Sequence, residues 1–194
     1  AKKIFKHNDM EDLENILKTL PKDQPKMIVF ESVYSMCGSV SPIKDIVRLA
    51  KKYGALTFLD EVHAMGLYGP HGAGVAEHID FEQHLKAGLK KDPEYKTVME
   101  EIDLITGTLG KSFGSVGGYA AGSKVMIDYI RSFAAGFIFT TTLPPAVMAA
   151  AEEAISLTKK NISLRVKQQK ITNYLKLKLA QEKNIPMLKN PSHI

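Results

Sequence analysis

Two short apolar runs on either side of an amphipathic helix pattern constrain the fold of this chain more than any other feature. The runs, residues 26–31 (KMIVFE) and 55–60 (ALTFLD), have the length and composition of buried strands. Ser41 as N-cap and Pro42 at the first helical position predict the start of the intervening helix, and Gly54 predicts its end. A strand, a helix and a strand in succession predict parallel neighbours in one sheet.

The rest of the chain continues this alternation of strands and helices. The further predicted elements are helices from Asn8 or Asp9 to Pro21 and in two stretches after Pro144 that are broken near Asn161, and strands at residues 102–106, 118–121 and 137–139. The predicted fold class is therefore α/β, with a mainly parallel sheet flanked by helices. Ligands bind beyond the carboxyl ends of the strands in such sheets, and Asp60 stands at one of these ends.

The length of the chain allows part of one large domain and the start of another. Its 194 residues, 44% of them apolar, can bury a substantial core. Residues 1–158 are predicted to belong to the large domain, and residues 159–194 to form a long helix that leads into an incomplete C-terminal domain. Residues 79–100 are polar with little periodicity, which predicts a surface insertion. Because the chain stops just after a turn that contains Pro191, we expect a fragment of a longer protein.

Composition excludes several classes of protein. Cys37 is the only cysteine, so neither a disulfide framework nor a cysteine zinc site is expected, and a reducing compartment is predicted. No run approaches the roughly 18 apolar residues of a membrane span, although a cleaved targeting segment could precede Ala1. The net charge of +5 is concentrated in residues 159–183, where eight Lys or Arg accompany one acid. We interpret this run as a solvated helix face, and not as a surface for nucleic acid or membrane.

Residues 107–114 (GTLGKSFG) place Lys111 among small residues after a predicted strand. One chemistry that uses such an arrangement is the P-loop, GxxxxGK[ST], whose backbone amides bind phosphate. Ile105 stands where that motif has its first glycine, and residues 56–61 (LTFLDE), which imitate the magnesium-binding strand, precede the lysine. Residues 114–118 (GSVGG) also interrupt the helix that must follow. An ATPase module is an alternative that these departures disfavour.

The second chemistry is an imine between a lysine and pyridoxal 5'-phosphate, whose ring nitrogen needs an acidic partner. Asp60 and Lys111 supply that pair. A carboxylate beside the ring nitrogen favours its protonated form, and a lysine amine is a nucleophile that can afterwards move a proton. His63 stands three residues after Asp60, and Ser35 follows the preceding strand. Both are candidate donors to the ring oxygen.

Hydroxyl side chains near these residues are candidates for binding phosphate. Thr108 lies in the lysine loop, and Thr140 and Thr141 belong with Thr142 to a cluster after the predicted strand 137–139. An ordinary strand end explains the threonine cluster equally well. Both interpretations stay open at this point.

Four stretches together resemble the α-oxoamine synthases, a family of fold-type I pyridoxal-phosphate enzymes. They are residues 30–43 (FESVYSMCGSVSPI), 53–74 (YGALTFLDEVHAMGLYGPHGAG), 105–123 (ITGTLGKSFGSVGGYAAGS) and 131–145 (RSFAAGFIFTTTLPP). Residues 5–9 (FKHND) and 190–194 (NPSHI) agree at the two ends, so the resemblance covers nearly the whole chain. It implies the large domain of an aminotransferase-like transferase.

The resemblance implies a role for each residue around the ring of the cofactor. Lys111 would form the imine, and Asp60 would pair with the ring nitrogen. His63 and Ser35 would donate to the phenolic oxygen. Val62 would pack against one face of the ring.

The resemblance also implies a homodimer with its active site at the subunit interface. Thr108 would bind the phosphate within its own subunit, whereas Thr140 and Thr141 would reach the phosphate of the neighbouring one. Cys37 and His71 depart from the family, since many members have aspartate and arginine there. Neither position carries the core chemistry.

The reaction implied is the condensation of glycine with an acyl-CoA, with release of CoA and carbon dioxide. Residues 107–114 and 137–145 are most like the branch that uses succinyl-CoA in the first step of haem synthesis, and branches that use acetyl-CoA or pimeloyl-CoA remain alternatives. The family's glycine-rich N-terminal loop and its carboxylate-binding arginine lie outside this chain, so the chain alone is expected to be inactive. Residues 79–100 resemble an insertion of some eukaryotic members, which implies the mitochondrial matrix; without that origin a cytoplasmic enzyme is expected.

Overall fold

A computed structural model describes residues 1–87, 97–182 and 184–194. The elements in chain order are α1 (Met10–Lys18), β1 (Met27–Glu31), α2 (Ile43–Tyr53), β2 (Leu56–Asp60), α3 (Val75–Ala87), α4 (Val98–Glu101), β3 (Leu104–Thr108), β4 (Gly118–Gly122), α5 (Lys124–Phe133), α6 (Ala135–Ile138), α7 (Pro145–Lys160) and α8 (Ile162–Gln181). No helix within the described ranges is long and apolar enough to cross a membrane.

The four strands form one sheet in the order of the chain. β1 pairs with β2 and β2 with β3 in parallel, and β4 returns antiparallel to β3. Asp60 is in register with Glu31 on one side and with Thr106 on the other, so the carboxyl ends of β1, β2 and β3 meet at one edge. The predicted α/β fold with a mainly parallel sheet is confirmed.

Helix α2 is fixed on the sheet by its apolar face. That face buries Ile43, Ile46, Val47, Leu49 and Ala50. They pack in one cluster with buried side chains of α1, β1 and β2, among them Leu17, Phe30 and Leu59. Each large side chain removed from water contributes about 1.5–3 kcal/mol. Because this contact holds the helix that links β1 to β2, it also fixes where both strands end.

The predicted end of α2 is confirmed, but the predicted start is wrong. Gly54 ends the helix in the left-handed conformation, at φ 62°. Pro42, not Ser41, occupies the N-cap position, and no side chain caps the helix. The backbone carbonyl of Ser41 accepts the N–H of Ile43 at 2.9 Å, so this one N–H group is satisfied without the serine hydroxyl. That hydroxyl is buried without a hydrogen-bond partner among the described residues.

The strand predicted at residues 137–139 is wrong. The short helix α6 covers most of this segment, and the N–H groups of Phe137 and Ile138 both donate to the carbonyl of Ala134, at 2.9 and 3.0 Å. A strand needs hydrogen bonds from a neighbouring strand, whereas these groups are satisfied within a local turn. Short apolar runs do not distinguish the two outcomes.

The described parts of residues 79–100 are mainly helical, and their interpretation as an insertion stays a prediction. Residues 79–87 continue α3, and α4 follows, while residues 88–96 lie outside the described ranges. Asp80 is buried, and its carboxylate accepts the N–H groups of Val98 at 2.7 Å and Met99 at 3.1 Å. Asp80 thereby joins the two helices. Ile102 is the C-cap residue of α4, so the strand that was predicted to begin at residue 102 begins two residues later, as β3.

The two long C-terminal helices predicted after Pro144 are confirmed as α7 and α8. Asn161 separates them and caps α8 by accepting the N–H of Ser163 at 3.1 Å. Among the described residues 159–182, most basic side chains are exposed, as a solvated face requires, but Arg165 is buried and Lys176 is half-buried. The interpretation is therefore wrong for those two residues. The division of the chain at residue 158 stays a prediction.

Candidate active site

The carboxyl ends of three parallel strands bring most of the predicted site residues to one edge of the sheet. Asp60 ends β2 and Thr108 ends β3. Ser35 lies four residues beyond the end of β1, and Lys111 three residues beyond the end of β3. This edge is where ligands bind in sheets of this type.

Asp60 is half-buried and its carboxylate is held in place by the backbone. Oδ1 accepts the N–H of Val62 at 2.8 Å, and the carbonyl of Asp60 accepts the N–H of Ser32 at 2.9 Å. No described residue donates to Oδ2. One carboxylate oxygen is therefore available to a cationic N–H group at this edge.

His63 and Val62 lie on the tight turn that follows β2. The N–H groups of Ala64 and Met65 both donate to the carbonyl of Glu61, at 2.8 and 2.9 Å. Both His63 and Val62 are half-buried. Because the imidazole makes no hydrogen bond with a described residue, its nitrogens are available to a ligand.

Glu61 is a buried carboxylate that the analysis of the sequence missed. Its two oxygens accept the N–H groups of Val75 at 3.0 Å and Ala76 at 2.9 Å, at the start of α3. A Cβ on Gly74 would lie 2.5 Å from the Glu61 carboxyl carbon, so glycine is required there. Burial raises the pKa of Glu61, although the helix N–H groups act in the opposite direction. Glu61 thus has a structural role beside Asp60.

The lysine loop packs directly on the loop that follows the His63 turn. Ser112 Oγ donates to the carbonyl of Met65 at 2.5 Å. Gly66 has φ 80°, and a Cβ there would lie 2.4 Å from Ser112 Oγ. This close approach requires glycine. It places Lys111 on the loop adjacent to the turn of His63.

An apolar cluster anchors the lysine loop from the other side. Phe113 and Leu109 are buried against Ala151 of α7, and Tyr119 of β4 packs on the same cluster. Lys111 itself is exposed, and its Nζ forms no hydrogen bond or ion pair with a described residue. The loop therefore presents a free amine on a fixed backbone.

Two of the predicted hydroxyl residues lie at this edge. Thr108 Oγ1 accepts the N–H of Gly110 at 3.2 Å and donates to the carbonyl of Gly117 at 3.3 Å. Ser35 is exposed, and its backbone N–H donates to Glu31 Oε2 at 2.9 Å. The Ser35 hydroxyl makes no hydrogen bond with a described residue.

Thr140 and Thr141 are not joined to the edge by any described contact. Both are exposed in the segment after α6. The adjacent Leu143 packs over Gly117, where a Cβ would lie 2.8 Å from Leu143 Cδ1. Their predicted contact with a second subunit stays a prediction.

The P-loop alternative is wrong because no helix follows the lysine. The N–H of Gly114 donates to the carbonyl of Lys111 at 3.0 Å, and the chain then returns as the antiparallel strand β4. A P-loop must lead into a helix whose N-terminus faces the phosphates. Within the described ranges, no group of three His, Cys, Asp or Glu side chains could hold a metal ion.

Two further residues near His63 were missed by the analysis of the sequence. His193 hydrogen-bonds to Tyr68, which lies in the Gly-rich loop after the His63 turn. The pairing joins residues 125 positions apart, so no local pattern predicts it. Two features of the sequence could have indicated these residues. Tyr68 lies inside a glycine-rich loop, and His193 lies in the terminal NPSHI stretch.

The chain belongs to the aminotransferase class I and II family, whose model matches residues 3–194. Among curated proteins it is similar to the mitochondrial 5-aminolevulinate synthases of Kluyveromyces lactis, at 63% identity, and Saccharomyces cerevisiae, at 62%. Both matches cover 100% of this chain, but 34% and 36% of the relatives. The chain thus spans about a third of the length of these proteins.

Solved structures agree with this family. Serine palmitoyltransferase from Sphingomonas wittichii matches with a TM-score of 0.79 at 34% identity, over 92% of this chain and 41% of that one. The enzyme from S. paucimobilis, solved with a bound PLP–myriocin aldimine, matches with a TM-score of 0.73 at 35% identity over 87% and 39%. At 22% identity and a TM-score of 0.70, over 97% and 49% of the two chains, 8-amino-7-oxononanoate synthase from Francisella tularensis shares the fold alone.

Proposed function

We propose that the protein containing this chain is a pyridoxal-phosphate-dependent 5-aminolevulinate synthase. It would condense glycine with succinyl-CoA to give 5-aminolevulinate, CoA and carbon dioxide, the first step of haem and tetrapyrrole synthesis. The observation that carries the proposal is identity of 63%, 62% and 60% over the whole chain to three yeast enzymes of that name. The charged and polar groups at the carboxyl edge of the sheet support it.

The side chains at this edge suit pyridoxal phosphate chemically. The cofactor has an aldehyde, a basic ring nitrogen, a phenolic oxygen and a phosphate, and when bound it withdraws electrons from the substrate's α-carbon. Lys111 provides an amine without an ion-pair partner among the described residues, and Asp60 provides a carboxylate oxygen without a donor. His63, Ser35 and Thr108 add N–H and O–H groups at the same edge.

Each of these residues has a proposed task in the reaction. Lys111 would hold the cofactor, and its amine would remove a proton from the α-carbon of glycine. Asp60 keeps a proton on the ring nitrogen, because opposite charges at short range favour the ionised form of both groups. His63 and Ser35 donate to the phenolic oxygen, and Val62 packs against the ring.

We further propose a homodimer in which Thr108 binds the phosphate of its own subunit and Thr140 and Thr141 reach that of the other. Thr140 and Thr141 are exposed and have no described partner, which suits such a role. Phe139 beside them is 86% exposed and Phe133 on α5 is 69% exposed, so this surface needs an apolar cover. Light scattering of the full-length protein would measure the dimer, and a catalytically active monomer would contradict it.

The lysine role is tested by the visible absorbance that a lysine imine of the cofactor produces. The full-length protein mixed with pyridoxal phosphate should gain this band, and Lys111→Ala should abolish it. Lys124→Ala removes an exposed lysine from the start of α5 and is the matched control. An unchanged band in Lys111→Ala would contradict the assignment.

The substrate is tested by assaying the full-length enzyme with glycine and succinyl-CoA, acetyl-CoA or pimeloyl-CoA. Preference for acetyl-CoA would indicate a glycine C-acetyltransferase, and preference for pimeloyl-CoA an 8-amino-7-oxononanoate synthase type of enzyme. Serine with palmitoyl-CoA belongs in the panel because of the serine palmitoyltransferases among the similar structures. Preference for any of these would contradict the proposal.

The proposed location is the mitochondrial matrix. It is supported by the relatives, which are named mitochondrial enzymes. Cell fractionation would test it, and recovery of the full-length protein in the cytosol alone would contradict it.

A further inference from the structure

The phenol of Tyr68 is bound by both the backbone and the side chain of His193. The N–H of His193 donates to Tyr68 Oη at 3.1 Å, and the distance from Oη to His193 Nδ1 is 3.2 Å. The ring centroids are 5.6 Å apart. The phenol oxygen accepts the backbone N–H, and in its contact with Nδ1 the imidazole tautomer determines which of the two atoms donates. This pair of bonds fixes the orientation of both rings.

The segment that carries His193 is itself held against the candidate site. Lys176 Nζ donates to Asn190 Oδ1 at 2.8 Å and to the backbone carbonyls of Asn190 and Ser192. Asn190 packs so closely on Gly38 that a Cβ there would lie 2.7 Å from Asn190 Cγ. Gly38 ends the turn that contains Ser35, because its N–H donates to the carbonyl of Tyr34 at 2.8 Å. The C-terminal segment therefore lies beside the turns that carry both proposed donors to the phenolic oxygen.

Tyr68 is coupled to His63 through one short stretch of backbone. The N–H of Tyr68 donates to the carbonyl of Ala64 at 3.1 Å, directly after the turn of His63. The N–H of Gly74 donates to the carbonyl of Tyr68 at 3.1 Å and closes the loop. Tyr68 is thus joined by a hydrogen bond to Ala64, the residue that directly follows His63.

His193 also interacts electrostatically with His63. Burial lowers the pKa of His193, and the charges of His63 and Lys176 lower it further. A neutral imidazole that carries its proton on Nε2 accepts the phenol proton of Tyr68 at Nδ1, and one that carries it on Nδ1 donates to the phenol oxygen. The environment of His193 therefore suits the hydrogen bond that the geometry requires.

We propose that His193, through its hydrogen bonds with Tyr68, is a positioning residue that holds the turn of His63 in place for the cofactor. His193 does not itself touch the reacting atoms. The effect of His193 on the reaction rests on the proposed function. The structural coupling of His193 to His63 does not depend on it. Lost positioning would lower kcat more than it raises KM, since the substrate-binding groups stay in place.

The test compares four variants of the full-length protein. Tyr68→Phe and His193→Phe remove one partner each, and His193→Asn keeps an acceptor near the position of Nδ1. Tyr53→Phe is the matched control, because its hydroxyl donates to Glu14 in a distant contact between α1 and α2. NMR of histidine-labelled, cofactor-free protein reports on the His63 ring, with His63→Gln used to assign its signals.

We expect Tyr68→Phe and His193→Phe to shift the His63 signals and to lower kcat by up to about 10²-fold, the loss that a misplacement of about 1 Å can cause. His193→Asn should restore both, and Tyr53→Phe should change neither. Unshifted His63 signals in folded Tyr68→Phe protein would overturn the inference, even where His193→Phe fails to fold. If the wild-type enzyme does not use glycine and succinyl-CoA, the proposed function fails, but the NMR result still decides this inference.

Discussion

Two adjacent carboxylates at the end of β2, Asp60 and Glu61, have different environments. The side chain of Asp60 lies half-buried at the open edge of the sheet, where one oxygen has no described donor. Glu61 is fully buried and its oxygens accept two N–H groups of α3. A strand alternates its side chains between opposite faces, so neighbouring acids separate in this way. We propose that Asp60, the acid at the ligand edge, carries the chemistry, whereas Glu61 fixes the start of the helix that follows.

Replacement of Asp60 tests the proposed chemistry of this carboxylate. Asp60→Asn keeps the shape of the side chain but loses the charge that holds the ring nitrogen protonated. We expect the full-length variant to bind pyridoxal phosphate and to lose kcat by a factor on the order of 10² or more. Steady-state kinetics together with cofactor absorbance measure both properties. Asp45→Asn, an exposed carboxylate on α2, is the control, and wild-type turnover in Asp60→Asn would contradict the role.

The positions of the candidate site residues at the edge of the sheet were predictable where a strand end and a reactive group coincide in the sequence. Asp60 and Lys111 satisfied that condition, and the structure brings their strands together in register. The N-cap predicted at Ser41 was wrong. A serine before a proline caps a helix only when its hydroxyl faces the helix, and the backbone geometry determines this orientation. Tyr68 and His193 could not be paired, since their contact depends on the path of the whole chain.

At the scale of elements, polar contacts at the ends of helices supplement the apolar core. Glu14 of α1 accepts from Lys52 Nζ at 2.6 Å and from Tyr53 Oη at 2.9 Å, both on α2. These contacts hold the pKa of Glu14 at about 2, first through the hydrogen bond with Lys52 and then through that with Tyr53. The ionised form is thus favoured in the folded protein.

This shift predicts a pH dependence of stability. A carboxylate with a lowered pKa stabilises the folded state above its ordinary value of 4.5, and the contribution is lost as the pH falls towards 2. Glu14→Gln should therefore be less stable than wild type at pH 7, and the difference should shrink below about pH 4.5. Urea unfolding of the full-length protein over this pH range measures it.

Glu11→Gln is the control for Glu14→Gln, because Glu11 lies exposed on the same helix. It should unfold like wild type at every pH. A stability difference for Glu14→Gln that stays constant between pH 7 and pH 3 would show that the ionised form is not what matters.

Helices and strands were predictable where several sequence patterns indicate the same element. They were not predictable where one pattern was the sole indication. The core face of α2, its glycine end and the strands on both sides support one another, and all were found. Residues 137–139 offered an apolar run without turn signals, and local hydrogen bonds made it helical. The helix at residues 79–87 was not predicted, because its apolar and polar residues do not separate onto opposite faces of a helix.

At the scale of the molecule, the C-terminal helices hold the Gly-rich loop that continues from the candidate site. Arg165 of α8 is 5% exposed and donates to the carbonyl of Thr158 on α7 and to that of Pro70 in the loop. A Cβ on Gly72 would lie 2.9 Å from Thr158 Cγ2, so the loop approaches α7 closely. One buried guanidinium thus joins sequence positions 95 residues apart.

Loss of this guanidinium should loosen the attachment of the loop. Arg165→Met fills similar space but leaves the carbonyls of Pro70 and Thr158 without their donor, which should cost about 3 kcal/mol, since hydrogen bonds from charged groups contribute more than neutral ones. Arg165→Lys keeps the charge with fewer donors and should lose about half as much. Thermal unfolding gives the stability, and hydrogen exchange at residues 66–74 shows where it is lost.

Arg131→Met, at an exposed arginine over the ring of Phe137, controls for the loss of a cation. Equal exchange in Arg165→Met and Arg131→Met would mean that the apolar contacts of Gly72 hold the loop without the arginine.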